Sequence, residues 1–419
     1  MKAALTACAA QAKARMDMLP EGWRETTIKE IGISIIDGDR GKNYPTSNEL
    51  YSTGYCLFLS AKNVTSKGFL FVENQYISKE KDCSLKNGKL NRGDIVLTTR
   101  GTIGNFALYN ENIKFENIRI NSGMVIIRHN ASCNIDWLYC ALTSHFISRQ
   151  IKKAAFGSAQ PQLTVKIVNG LKVTLPPLPE QEKIAAVLST WDKAISATDA
   201  LLANSRQQKK ALMQQLLTGK RRLPGFTGEW KVVRAGSVLH EEGARNRGSK
   251  ITRVLSVTNQ KGFVLPEEQF SKRVASDNIE NYKIIKRGQF GYNPSRLNVG
   301  SFGRLDTFEE GILSPLYVIF SIKDEYIDSD FFLAWMHSGE TRQRIKGSTQ
   351  GSVRESVSFN ALASFPLNLP PLDEQRAIAA VLDAADREIV LLEQKAARLR
   401  EEKKSLMQQL LTGKRRVRL

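Results

Sequence analysis

Side chains that bind phosphates and base edges crowd into a few short stretches of this chain. DGDRGKNY at 37–44 offers Arg40, Lys42, Asn43 and Tyr44, and SAKN at 60–63 places Lys62 and Asn63 directly after an apolar run. The second half answers with Arg245, Asn246, Arg247 and Lys250 in RNRGSK, and with Asn259 and Lys261 in TNQK. Arg100 in TTRGTIG, Arg296 in NPSRLNVG, Ser158 and Gln160 in GSAQPQLT, and Ser352 and Arg354 in GSVRESVS complete the set. Arginine and lysine suit phosphate oxygens and guanine edges, and asparagine and glutamine suit adenine, so the chemistry on offer is recognition of nucleic acid. A solvated turn explains any one of these residues equally well, and the argument rests on their clustering.

Catalytic signatures are missing where an enzyme acting on DNA needs them. Tyr292-Asn293-Pro294-Ser295 has the aromatic and proline of an amino-methyltransferase adenine pocket but lacks the second proline, and reads as a turn. GKRR at Gly219 and Gly413 lacks the upstream glycine and the serine or threonine of a phosphate loop. His129, His145, His240 and His337 are scattered without metal-ligand spacing, and acid pairs such as Asp37 and Asp39 or Glu241 and Glu242 have no nuclease motif around them. No catalytic residue, metal ligand or cofactor is expected in the chain.

The elements that must position these loops are written twice. Residues 175–222, LPPLPEQEKIAAVL to LLTGKRR, return at 369–416 without a gap, displaced by 369 − 175 = 194, and about 28 of the 48 aligned residues are identical. Paired prolines stop a strand, Glu180 and Glu182 favour a helix start, and a helix of about 38 residues runs to about Thr218. Its apolar seam follows Ile184, Leu188, Trp191, Ile195, Thr198, Leu202, Leu212 and Leu216, with Ser205 and Lys209 as polar lapses. The second copy reads Ile378, Leu382, Ala385, Ile389, Leu392, Ala396, Leu399, Leu406 and Leu410, with Lys403 at the position of Lys209. One such helix is unstable alone in water, and the other copy is the partner present at equal concentration, so an intramolecular two-helix coiled coil is expected, with homodimerisation as the rival.

The intervening regions alternate short apolar runs with turn residues, the pattern of β-rich domains. Helices starting at Asp136 and Asp330 share the 194-residue offset, and LPEGW at 19–23 matches LPGFTGEW at 223–230, so Trp23 and Trp230 mark equivalent domain starts. The expected fold is α+β: an N-terminal segment 1–18, a β-rich domain 19–174, a helical region 175–222, a second domain 223–368 and a second helical region 369–419.

Sixty-one Lys and Arg against 42 Asp and Glu leave a net charge of +19, which favours a polyanionic partner. Cys8, Cys56, Cys83, Cys133 and Cys140 are odd in number and lack a CxxC pair, so neither a disulfide framework nor a zinc site is indicated and a reducing cytoplasm is the expected compartment. Gln11, Lys13 and Arg15 break the opening apolar run before a signal core forms, so it reads as a short helix, and no stretch has the length to span a bilayer.

Two variable β-rich regions, each followed by LPPLxEQxxIAxVL and a long helix ending in LLTGKRR, resemble the specificity subunit of Type I restriction-modification systems over nearly the whole chain. The resemblance implies a non-catalytic subunit in which each variable region is a target recognition domain reading one half of a bipartite, gapped DNA sequence. It implies helices that lie antiparallel as a coiled coil in a pseudo-twofold tandem repeat, set the unread spacer and dock two modification subunits. Those subunits bind S-adenosylmethionine and methylate adenine, and restriction subunits with ATP-driven, Mg-dependent translocation join them. Other classes carried beside it are a coiled-coil DNA-binding adaptor or dimeric transcription factor, and an enzyme acting alone.

Overall fold

The computed structural model describes residues 19–155, 162–259, 262–268, 278–349 and 356–419. They fall into two compact units, one formed by the chain up to Thr198 together with Lys395–Leu419, the other by Asp199–Gln394. The nine described α-helices are α1 (Lys79–Ser84), α2 (Ile135–Leu142), α3 (His145–Ala155), α4 (Val165–Asn169), α5 (Leu178–Leu216), α6 (Ser329–Met336), α7 (Gly339–Thr349), α8 (Phe359–Ala363) and α9 (Leu372–Leu410).

In the first unit, four antiparallel strands lie in the order Ser34–Asp37, Met124–Arg128, Ile95–Thr98, Phe106–Leu108. Their near-continuous apolar runs make sense because both faces are covered. Ile95, Leu97, Val125 and Ile127 point into the core shared with α2 and α3, while Val96, Met124 and Ile126 point into a second core with Leu57, Leu59 and Ile118. Residues alternate sides along a strand, so each strand feeds both cores. A two-stranded clasp pairs Arg24–Thr27 with Lys172–Leu175, joining the start of the domain to its end just before Pro176, Pro177 and α5.

The second unit repeats this topology with different side chains. Its sheet runs Leu239–Glu241, Val318–Ile322, Phe290–Tyr292, Phe302–Arg304, and its clasp pairs Lys231–Arg234 with Pro366–Leu369. Here the helix-facing core is aromatic: Phe290 stacks on Phe320 and Phe302 at centroid distances of 5.5 and 5.8 Å, and Phe332 of α6 meets Phe290 edge-on at 5.2 Å.

The helix expected to start at Asp136 starts at Ile135 and ends at Leu142. Asn134 rather than Asp136 caps α2, accepting the Trp137 N–H at 3.0 Å, and α3 begins afresh at His145. In the second unit Asp328 caps α6 in the same way, accepting from Asp330 and Phe331, so that helix begins at Ser329 rather than Asp330. An unpaired first-turn N–H selects the nearest short polar side chain one residue outside the helix, which displaces both starts from the aspartates inside it.

Each long helix has 39 residues. Within the first unit the N-terminal half of α5 pairs antiparallel with the C-terminal half of α9, as Asp192 accepts the Lys403 ammonium at 2.5 Å and Leu410 joins Ile184 and Leu188 in one core. Within the second unit, Lys209 reaches Asp386 at 2.5 Å, Arg206 reaches Glu393 at 2.6 Å, and Leu216 packs with Ile378 and Leu382. The intramolecular pairing expected from the repeat is therefore present. The two lysines that interrupt the seam both carry cross-helix ion pairs.

Burial along the seam is uneven. Ile184, Leu188, Leu216, Ile378, Leu382 and Leu410 are buried where the helices also meet a domain core. Trp191, Ile195, Leu202, Leu212, Ile389, Leu392, Leu399 and Leu406 are half-buried, whereas Thr198, Ser205 and Ala396 are buried. Ser205, read as a lapse, is buried and donates to Glu388 at 3.3 Å. A pair of helices covers one stripe on each, so large side chains at the stripe's edge keep a solvent face.

Candidate nucleic-acid interface

In the first domain, three of the expected contact residues converge on the turn Asn121–Gly123. Arg40 pairs with Asp37 at 3.0 Å and donates to the Ser122 carbonyl at 3.3 Å. The Tyr44 hydroxyl accepts the Ser122 N–H at 3.4 Å, and the backbone N–H of Arg100 reaches the Gly123 carbonyl at 3.2 Å. Leu163 donates to the Thr99 carbonyl at 3.1 Å, which sets it beside Arg100.

The loop at 37–44 is braced from below. Asp39 accepts from the backbone N–H groups of Gly41 and Lys86, bonds that hold its carboxyl below the usual range, and Asn43 donates to the Ser84 carbonyl at 3.1 Å. Lys81, just after the start of α1, pairs with Glu49 at 2.7 Å, and that ammonium is the main cause of a Glu49 carboxyl lowered to about 2. Arg40, Lys42 and Arg100 remain exposed on this braced platform. Lys62 is exposed too, but it spends its charge on Glu73 at 2.5 Å.

In the second domain the loop between the strands Phe290–Tyr292 and Phe302–Arg304, the counterpart of the loop that carries Arg100, forms a turn over Asn293–Gly300. Asn293 caps the 3-10 helix Pro294–Val299, which carries the exposed Arg296. Gly300, at φ +92°, lets the turn close against Asn259: a Cβ there would lie 3.2 Å from the Asn259 Cβ. Val357 donates to the Pro294 carbonyl at 3.0 Å, matching the Leu163 bond in the first domain. Tyr292–Ser295, read as a turn, is the end of the strand Phe290–Tyr292 and the start of that 3-10 helix, with Tyr292 fully buried among phenylalanines. Arg245, Arg247 and Lys250 are exposed on a separate loop.

Two expected contact residues are corrected by their burial. Asn63 is 1% exposed and its amide donates to the carbonyls of Leu70 at 3.1 Å and Glu73 at 2.9 Å. Asn246, also 1% exposed, donates to and accepts from Ile251, at 2.8 and 3.0 Å. Their amides are consumed in bracing the loops that display Lys62 and Arg245, which leaves nothing for a base edge. Ser158, Gln160, Lys261, Ser352 and Arg354 lie outside the described residues.

Sequence reasoning missed a buried polar knot at the start of each long helix. In the first unit Glu180, 1% exposed, accepts the Trp23 indole N–H at 3.1 Å and the Arg416 guanidinium, whose Nε lies at 3.3 Å. In the second unit Glu374, fully buried, accepts from Trp230 at 3.0 Å and from Arg222 at 2.9 and 2.6 Å. The last arginine of each KRR thus joins the carboxylate that opens the opposite long helix. The adjacent glutamines complete the joint. Gln181 accepts the Asn134 N–H and donates to the Pro176 carbonyl, both at 2.9 Å, and Gln375 does the same with Asp328 and Pro370, at 2.8 and 2.9 Å. Retention of Trp, Glu, Gln and Arg in both copies was the available signal.

Cations and hydrogen-bond donors set on a rigid frame can hold phosphates and read base edges. Among the described residues no group of three or more His, Cys, Asp or Glu is placed to hold a metal ion, and no helix is long and apolar enough to cross a membrane.

Two β-rich domains of one topology, each followed by a long helix, define a tandem-repeat fold, and comparison with known proteins gives its family. The model of the Type I restriction modification DNA specificity domain matches residues 20–204 and 313–401, and the chain belongs to that family. It is similar to the Type I restriction enzyme MjaVIII specificity subunit of Methanocaldococcus jannaschii, 24% identical over 95% of this chain and 94% of that protein. The putative MjaX specificity subunit of the same organism is 23% identical over 97% and 96%. Among solved structures, a chain from a study of complex assembly and conformational transition of the type I R-M system shares the fold at TM-score 0.58 and 20% identity, covering 94% of this chain and 98% of that one. The S subunit from M. genitalium shares it at TM-score 0.58 and 13% identity, covering 94% and 96%.

Proposed function

We propose that this chain is the DNA-specificity subunit of a Type I restriction-modification complex, each β-rich domain reading one half of a bipartite target. The observation that carries the proposal is the match to the specificity-domain family across both halves, joined to two domains of one topology whose turns present different cations. The paired helices set the unread spacer, and their exposed faces dock two modification subunits. Methyl transfer from S-adenosylmethionine, and ATP- and Mg-dependent restriction, belong to those partners and to restriction subunits. The chain itself recognises double-stranded DNA and performs no chemistry, in the cytoplasm where that DNA lies.

The test is selection of duplexes from a random library by the chain assembled with its modification subunits. The expected product is two short fixed blocks separated by a gap of constant length and free sequence. A single uninterrupted block, or no enrichment, contradicts the proposal.

A further inference from the structure

The polar knots have a cost that apolar packing would avoid. A buried carboxylate surrenders its hydration, and replacing a buried ion pair by well-packed apolar side chains is often neutral or stabilising. Yet both copies keep the same triad, although the domains between them have diverged: Trp23, Glu180 and Arg416 in one unit, Trp230, Glu374 and Arg222 in the other. What the triad adds is direction. The apolar core that runs from each domain into its helices is indifferent to small rotations. A planar guanidinium on one carboxylate and an indole N–H aimed at the same group are not.

The position of each knot gives that direction a use. Trp23 immediately precedes the first clasp strand, and Glu180 lies in the first turn of the helix that follows the last one. Arg416 comes from the far end of the other helix, so three pieces of chain meet at the neck where the domain leaves its helix pair. Gly413 makes the approach possible: at φ +72° it runs so close to Pro20 that a Cβ would lie 2.7 Å from its Cδ. Gly219 at φ +71° passes the Trp230 ring in the same way, a Cβ coming within 3.2 Å.

We propose that the two triads are positioning residues that fix the angle at which each recognition domain leaves its helix pair, and so determine how strictly the protein demands one spacer length. This rests on the bipartite-reader function proposed above. The triads touch no DNA. They act by restricting hinge motion at the neck, so their loss loosens spacer choice and leaves the preferred bases of each block unchanged.

The experiment uses the full chain with its modification subunits, and duplexes carrying the wild-type target with its spacer native, one base pair shorter or one longer. Glu180→Gln and Glu374→Gln are measured singly and together, beside Trp23→Phe, which removes one donor and keeps the ring's bulk. Wild type is expected to prefer its native spacer by about tenfold or more, and each Gln variant to cut that preference to about twofold, with the double variant lower still and block sequences unchanged. Trp23→Phe is expected to fall between. Unchanged spacer preference in correctly assembled Gln variants overturns the proposal. Where a Gln variant fails to assemble, unchanged preference in Trp23→Phe overturns it. A shift in block sequence also overturns it, because that marks a reading role. Failure of wild type to select any gapped target removes the functional reading itself, and the proposal with it, a result distinct from a gapped target with an insensitive spacer.

Discussion

Asp82 shows how a single side chain governs a reader loop from below. It is 2% exposed and accepts from Arg119 and Lys89, both at 2.5 Å, while Arg119 also holds the carbonyls of Asn87, Asp82 and Leu85 at 2.6, 2.8 and 3.1 Å. Burial alone would push this carboxyl up, but the two cations outweigh it and the net shift is downward. Its contribution to stability is therefore complete above the unfolded carboxylate value, about 3.9, and is lost as pH falls below it toward the lower folded value. Asp82→Asn strands Arg119, and a loss of about 3–5 kcal/mol is expected in denaturant titration. A change under about 1 kcal/mol would show that the cations find other partners. The cysteines give a second residue-scale test. Burial pushes the Cys56 and Cys133 thiols up to about 12 and Cys140 up to about 11, whereas Cys83 is exposed. A thiol reagent at mild alkaline pH is expected to modify Cys83 and to spare these three until the protein unfolds, as peptide mapping by mass spectrometry would report.

At the scale of elements, the long helices were legible because a repeated heptad pattern needs no tertiary information. The sequence placed their seam, their length and the shared register of Lys209 and Lys403, since periodicity encodes which face is covered. It did not reveal the role of those lysines, because Asp386 and Asp192 lie 177 and 211 residues away on the other helix. The knots were hidden for the same reason, with Arg416 236 residues from Glu180. Asn63 and Asn246 misled because a brace and a base reader share one side chain, and burial alone separates them. Leu188→Asp places a charge in a fully buried seat shared with Ile184 and Leu410, and is expected to cost about 3 kcal/mol or more. An unchanged melting temperature would mean that the seam there is open. His337, following α6, is pushed down to about 4 by burial, then by Arg342 and Lys209, with Asp386 opposing. Its neutral form is the folded form, so it adds stability above its ordinary 6.5 that is lost as pH falls from there toward 4. His337→Gln is expected to flatten that part of the melting profile; a slope equal to wild type would assign the dependence to other groups.

The whole molecule is a frame written twice with two different readers. Its net charge of +19 predicts DNA binding that weakens steeply with salt, by about 10³–10⁵ between roughly 50 and 200 mM if about 6–10 phosphates are neutralised. A flat salt response would place that charge away from the DNA. The family, the doubled topology and the helix pairing could all be anticipated from the repeat, whereas the bases read could not, because they depend on side-chain positions in diverged loops. The clasp strands define a graft that leaves the frame intact. Replacing residues 28–171 by the corresponding region of another specificity subunit keeps Arg24–Thr27 and Lys172–Leu175 in place. Sequencing the duplexes selected by that chimera is the most direct measurement of the central claim. Two independent readers on one ruler predict that one block changes while the other block and the gap stay as in wild type; a change in both blocks would contradict it.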